Sequence, residues 1–78
     1  MEDLRRKYAE KSAEMREKWA DVINEIACKH GVDVGIAFEM LKAVARGGNY
    51  ADGFDFDKAE LVKDYLELLE ISNTIAFG

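Results

Sequence analysis

Residues 8–26 read YAEKSAEMREKWADVINEI. Within them Tyr8, Ser12, Met15, Trp19, Val22 and Ile26 are spaced 4-3-4-3-4, the seam spacing of a helix that lies along another helix. Ala20, Ile23 and Ala27 widen the apolar stripe in its second half. The other face pairs Glu2 with Arg6, Asp3 with Lys7, Glu14 with Lys18 and Glu25 with Lys29. Each pair places the acid four residues before the base, the better order, which adds about 0.2–0.5 kcal/mol per pair. No proline or glycine interrupts this stretch. It predicts one long first helix over about residues 3–29, roughly 40 Å in length.

The end of that helix is marked by Gly31, which can take a left-handed C′ position, with Val32 supplying the apolar contact that follows. Asp33 is placed to cap a second helix over about 34–46. Its Ile36, Ala37, Phe38, Met40, Leu41, Ala43, Val44 and Ala45 cover most of the girth, so it is expected to be central and buried. After a loop from Gly47, Asp57 and Glu60 form the sequence pattern of a capping box, with Phe56 and Leu61 at the staple positions. The third helix is expected over about 58–74. Leu61, Val62, Tyr65, Leu66, Leu68 and Leu69 would be buried, and Glu60, Lys63, Asp64, Glu67 and Glu70 would point outward. The fold class is therefore all-α: a single domain, 1–78, of three helices, long, short and acidic. Helices of about 20 and 25 Å do not cover one of 40 Å. The part carrying Leu4, Tyr8 and Met15 overhangs, to be covered by residues 48–56 and the tail Ile75-Ala76-Phe77 or by a second molecule.

Seventy-eight residues make one small domain with a thin core. No run of roughly 20 uncharged apolar residues is present to span a membrane, and the charged N-terminus lacks the apolar run of a signal peptide. One cysteine excludes an internal disulfide framework, and a cytoplasmic, reducing compartment fits best. The net charge of −5 is unevenly divided. Residues 1–46 carry nine bases and nine acids. Residues 47–78 carry Lys58 and Lys63 against seven acids, so the whole excess lies there. That half should repel nucleic acid and anionic lipid and attract basic surfaces.

No motif names a chemistry. Cys28 and His30 are two residues apart and do not face one another on a helix; a metal site needs three or four ligands. Asp52, Asp55, Asp57 and Glu60 fail the calcium-loop register, because Phe54 falls where that loop requires glycine. No catalytic residue, metal or cofactor is expected. Residues 23–42 resemble a helix-turn-helix in their packing positions: Ile26, Ala27, Gly31, Val32, Ala37 and Met40. The resemblance implies a tight helical corner and DNA reading by the second helix. Asp33, Val34, Gly35, Ile36, Phe38 and Glu39 stand at the reading positions, and none is basic or amide-bearing.

The expected function is a non-enzymatic protein–protein interaction module. Asp55, Asp57, Glu60, Asp64 and Glu67, with Tyr50 and Phe54 as aromatic anchors, would engage a basic protein surface and block it. Small acidic inhibitors encoded by phages and mobile elements act in this way as a class, which is analogy alone. A second expectation is a homodimeric scaffold or assembly chaperone that self-associates through Tyr8, Ser12 and Met15. A third is a helix-turn-helix regulator whose DNA contact needs a partner; direct nucleic-acid binding and membrane association are not expected.

Overall fold

The seam of residues 8–26 is buried from Met15 to Ile26 and half-buried at Tyr8 and Ser12, but the helix that carries it is broken in the middle. The computed structural model describes residues 2–77. Among them it shows four helices and no strand: α1 (Glu2–Lys18), α2 (Ala20–His30), α3 (Val34–Ala45) and α4 (Lys58–Phe77). The expected three helices are thus four, because the chain leaves helical geometry at Trp19 (φ −102°, ψ 18°). Hydrogen bonds from Trp19 N to Met15 O and from Ile23 N to Trp19 O, each 2.9 Å, span the break. Neither proline nor glycine causes it. The cause is tertiary: α1 lies along α4, whereas α2 lies along α3.

This division also resolves the overhang. Helix α4 continues through Ile75-Ala76-Phe77, to a length of about 30 Å, and covers α1. Lys18 pairs with Glu60 and Lys11 with Glu67, so the two helices run antiparallel. The molecule measures 38 × 22 × 17 Å, long in one direction only.

One core unites the four helices. Met15, Trp19, Val22, Ile23 and Ile26 meet Ala37, Phe38, Leu41 and Val44 of α3 and Leu61, Tyr65 and Leu68 of α4, with Ala51 from the connecting loop. Two expectations about burial are corrected. Helix α3 is not covered all round: Val34 and Ile36 at its start are exposed, because α2 and α4 reach only its other side. On α4, Leu66 is 55% exposed while Asp64 is only 5% exposed.

The caps follow local chemistry. Gly31 adopts φ 65°, ψ 38°, and Val32 N donates to Ala27 O at 3.1 Å, the longer bond of a Schellman end. Asp33 Oδ1 accepts from Ile36 N at 3.0 Å, and Asp57 Oδ1 from Glu60 N at 3.1 Å. The Glu60 side chain is turned to Lys18, so only the Asp57 half of the capping box is used. None of the expected acid–base pairs on α1 and α2 forms. Among the described residues the one ion pair within a helix is Glu39–Lys42.

At Gly31 an added Cβ meets nothing within 4 Å, so Gly31→Ala isolates the cost of the left-handed backbone, roughly 1 kcal/mol. At Gly48 it would lie 3.0 Å from the Ala43 carbonyl oxygen, so Gly48→Ala must also displace the end of α3. Urea denaturation should show a modest loss for the first; an unchanged midpoint would contradict the left-handed cap.

Candidate functional site

The residues expected to meet a partner fall into two groups. Asp64 lies between Leu61 and Leu68 on the buried face of α4. Its Oδ2 accepts from Trp19 Nε1 at 2.9 Å and pairs with Lys18 Nζ at 2.9 Å, while its Oδ1 lies 3.7 Å from Lys11 Nζ. Lys18 also reaches Glu60 Oε1 at 2.7 Å, and Lys11 reaches Glu67 Oε2 at 2.6 Å. Glu60, Asp64 and Glu67 therefore hold α4 to α1 instead of forming an open acidic face. The correction is complete for Asp64, which is buried; Glu60 and Glu67 keep an exposed edge but are already paired.

The electrostatics of Asp64 follow from these neighbours. Burial pushes its carboxyl up, but the Lys18 and Trp19 hydrogen bonds and the charges of Lys18 and Lys11 outweigh it, and its pKa lies below the ordinary 3.8. The hydrogen bond to Glu67 is the largest influence raising Lys11 above its ordinary 10.5. Bonds to Glu60 and then Asp64 raise Lys18 likewise.

The second group lies in the α3–α4 loop, residues 46–57. Tyr50 is 40% exposed. Its ring meets His30 edge-on at 5.8 Å, and its carbonyl lies 3.1 Å from His30 Nε2. Phe54 is half-buried against the core under Lys29, whose Nζ sits 5.2 Å from the ring centre and donates to Asp52 O at 3.4 Å. Phe56 packs its ring edge-to-face with Trp19 at 6.1 Å. These contacts with the end of α2 shape the loop, and Asp52, Asp55 and Asp57 project from it, exposed and in no ion pair among the described residues. Tyr50, Asp55 and Asp57 thus share one loop and are accessible. Phe54 is a plug for the core more than an anchor.

Of the expected self-association residues, Met15 is taken up by the core of its own chain. Met15 is 1% exposed. Tyr8 packs against the core, and Ser12 is half-buried. Unlike Met15, Tyr8 and Ser12 keep an exposed edge along an open groove with Ala9, Ala13 and Arg16. Residues 23–42 form the end of α2, the turn at Gly31–Asp33 and most of α3. Of the reading positions Phe38 is buried, and the exposed ones carry no base.

Lys11, Lys18 and the indole N–H of Trp19 were missed as partners of these acids. A core tryptophan needs an acceptor for its N–H, and Asp64 is spaced three from Leu61 and four from Leu68, a buried register. Cys28 is exposed. Among the described residues no three His, Cys, Asp or Glu side chains converge to hold a metal ion, and no helix is long and apolar enough to cross a membrane.

Because the native pKa of Asp64 is lowered, the stability it contributes is fully present above the ordinary 3.8 and is lost as pH falls through the native value. For Lys11 and Lys18 the contribution is full below 10.5 and is lost as pH rises through their raised values. Denaturation midpoints should fall on acidification below about pH 4, and more steeply in the wild type than in Asp64→Asn, which keeps an acceptor for Trp19 but does not titrate. Equal acid slopes would remove Asp64 from this role. Trp19→Phe should cost about 2–3 kcal/mol, from lost indole volume and a lost buried hydrogen bond; a cost under about 0.5 kcal/mol, the range of ordinary surface changes, would show that the indole does not anchor α1 to α4. Compared with known proteins, the chain matches no family model, no curated protein and no solved structure.

Proposed function

We propose that this chain is a non-enzymatic protein-binding module that docks on a basic surface of a partner protein and occupies it. The observation that carries this reading is the α3–α4 loop. Asp52, Asp55 and Asp57 lie within six residues, exposed and in no ion pair among the described residues, in the same loop as exposed Tyr50. Lys11 and Lys18 already serve Glu60, Asp64 and Glu67, so the loop acids are, with Glu70, what the second half of the chain leaves for another molecule. Carboxylates in such a row can take the place of phosphates against Arg- and Lys-rich surfaces. An exposed tyrosine beside them adds apolar contact with a polar tip. Contacts from Lys29 and His30 to the loop backbone shape it in advance, which lowers the entropy lost on docking. Inhibition by occupation is the mechanism this arrangement favours, as in the small acidic inhibitors encoded by phages and mobile elements.

The test uses an Arg-rich peptide as a model basic surface, titrated calorimetrically at several salt concentrations. The wild type should bind at low salt, with affinity falling as salt rises. The double substitution Asp52→Asn and Asp55→Asn should weaken binding about tenfold and flatten the salt dependence. Asp57 is left intact because it caps α4. No binding at low salt, or the same affinity and salt dependence in the variant, would reject the loop as the contact.

A further inference from the structure

Helix α4 has a second seam beside its buried one, half-covered at Val62 and Leu69 and open at Leu66 and Ala76. Val62, Leu66, Leu69, Asn73 and Ala76 are spaced 4-3-4-3, again the spacing of a helix that packs along another. This stripe is centred about a quarter-turn round the helix from the buried one of Leu61, Tyr65 and Leu68, and Leu69 at its inner edge packs against the core. Leu66 is 55% and Phe77 87% exposed. With Leu69, Glu70, Asn73 and Thr74 they line an open groove of about 500 Å³. Single exposed apolar residues need no explanation; Leu66 and Phe77 open onto one groove on one face of the helix do.

The charges beside the seam say what fits it. Lys63 and Glu70 are exposed, stand on the same flank one heptad apart, and make no ion pair among the described residues. In an antiparallel helix pair, like flanks face each other across the two-fold axis. Two copies of α4 packed this way bring Lys63 of one against Glu70 of the other, twice. The axis then falls between Leu66 and Glu67, so Leu66 meets its own copy, Val62 approaches Leu69, and Asn73 lies toward the solvated end beside Ala59. A parallel pair instead stacks Asn73 on Asn73 and leaves Lys63 and Glu70 without opposite charges. The geometry points to a second copy of this chain as the occupant: an antiparallel homodimer built on the outer face of α4, with two Lys63–Glu70 pairs. It uses a different surface from the α3–α4 loop and does not depend on the role proposed for that loop. One helix face of about 30 Å buries less than the roughly 800 Å² per partner of a stable interface, so the dimer is weak and concentration-dependent.

Sedimentation equilibrium from micromolar to millimolar protein tests it, with circular dichroism confirming that these surface variants fold. The wild type should dimerise, and Leu66→Glu should weaken the dimer at least about tenfold. Lys63→Glu and Glu70→Lys should each weaken it several-fold, and the two together should restore it. In a Cys28→Ser background, Leu66→Cys should form an intermolecular disulfide on oxidation. Asn73→Cys should not, since its two copies lie roughly 20 Å apart along the axis. A monomer at every concentration, or self-association unaltered by Leu66→Glu, would overturn the proposal and leave the face to a different partner. Failure of the double charge exchange to restore the dimer, or cross-linking through position 73 equal to that through 66, would overturn the antiparallel arrangement.

Discussion

The hydrogen bond from the Trp19 indole to the Asp64 carboxylate is the contact on which the rest of the structure depends. A core tryptophan brings a donor into a place with few acceptors, and a buried carboxylate needs both donors and opposite charge. Each satisfies the other, and Lys18 and Lys11 complete the site from its edge. No buried side-chain polar atom is left without a partner among the described residues. The contact also sets register. A slip of α4 by one turn would put Leu61 or Leu68 opposite the indole N–H, leaving two buried polar groups unpaired. Such a slip would cost more than the apolar contacts, which are nearly alike from turn to turn, could oppose.

Where the chain ends or begins a helix, the structure was legible from the sequence. Gly31 in a left-handed cap, Asp33 and Asp57 as N-caps and Val32 against the core depend on residues within one turn of one another, and local chemistry determines them. The break at Trp19 depends on residues some forty positions away. Nothing between Glu17 and Asp21 disfavours a helix; the break exists because α1 and α2 pack on different neighbours. Leu66 and Asp64 are the other instructive pair. Hydrophobicity places Leu66 inside and Asp64 outside, whereas the spacing from Leu61 and Leu68 places them the other way. Spacing prevailed because the antiparallel α1 supplied lysines and an indole at the matching height, so the usual penalty on a buried carboxylate was met by specific partners.

The same partners decide which acids face solvent unpaired. Read along the chain, Glu60, Asp64 and Glu67 form the most regular acidic row, one face of one helix. In three dimensions that row is the join between the two longest helices. Surface negative charge is displaced to the α3–α4 loop, where it is irregular in sequence and open in space. The excess of acids in residues 47–78 is therefore not a uniform property of that half: part is neutralised internally, and part remains for long-range attraction of basic surfaces. Pairing with Lys18 and Lys11 is also why the Asp64 pKa is lowered despite its burial.

Helix α4 consequently carries two helical seams with opposite histories. The inner one contains a charged residue and is covered; the outer one is half-covered at Val62 and Leu69 and open at Leu66, Ala76 and Phe77. A helix of this length with a single partner face would be expected to place its leucines inward and its acids outward. Leu66 and Phe77 depart from that pattern, and large apolar side chains left open on one face raise the hazard of nonspecific association. Lys63 and Glu70 beside that face lessen the hazard by restricting what can settle on it. A partner helix must present opposite charges in reversed order, and α4 itself, turned end for end, meets that requirement.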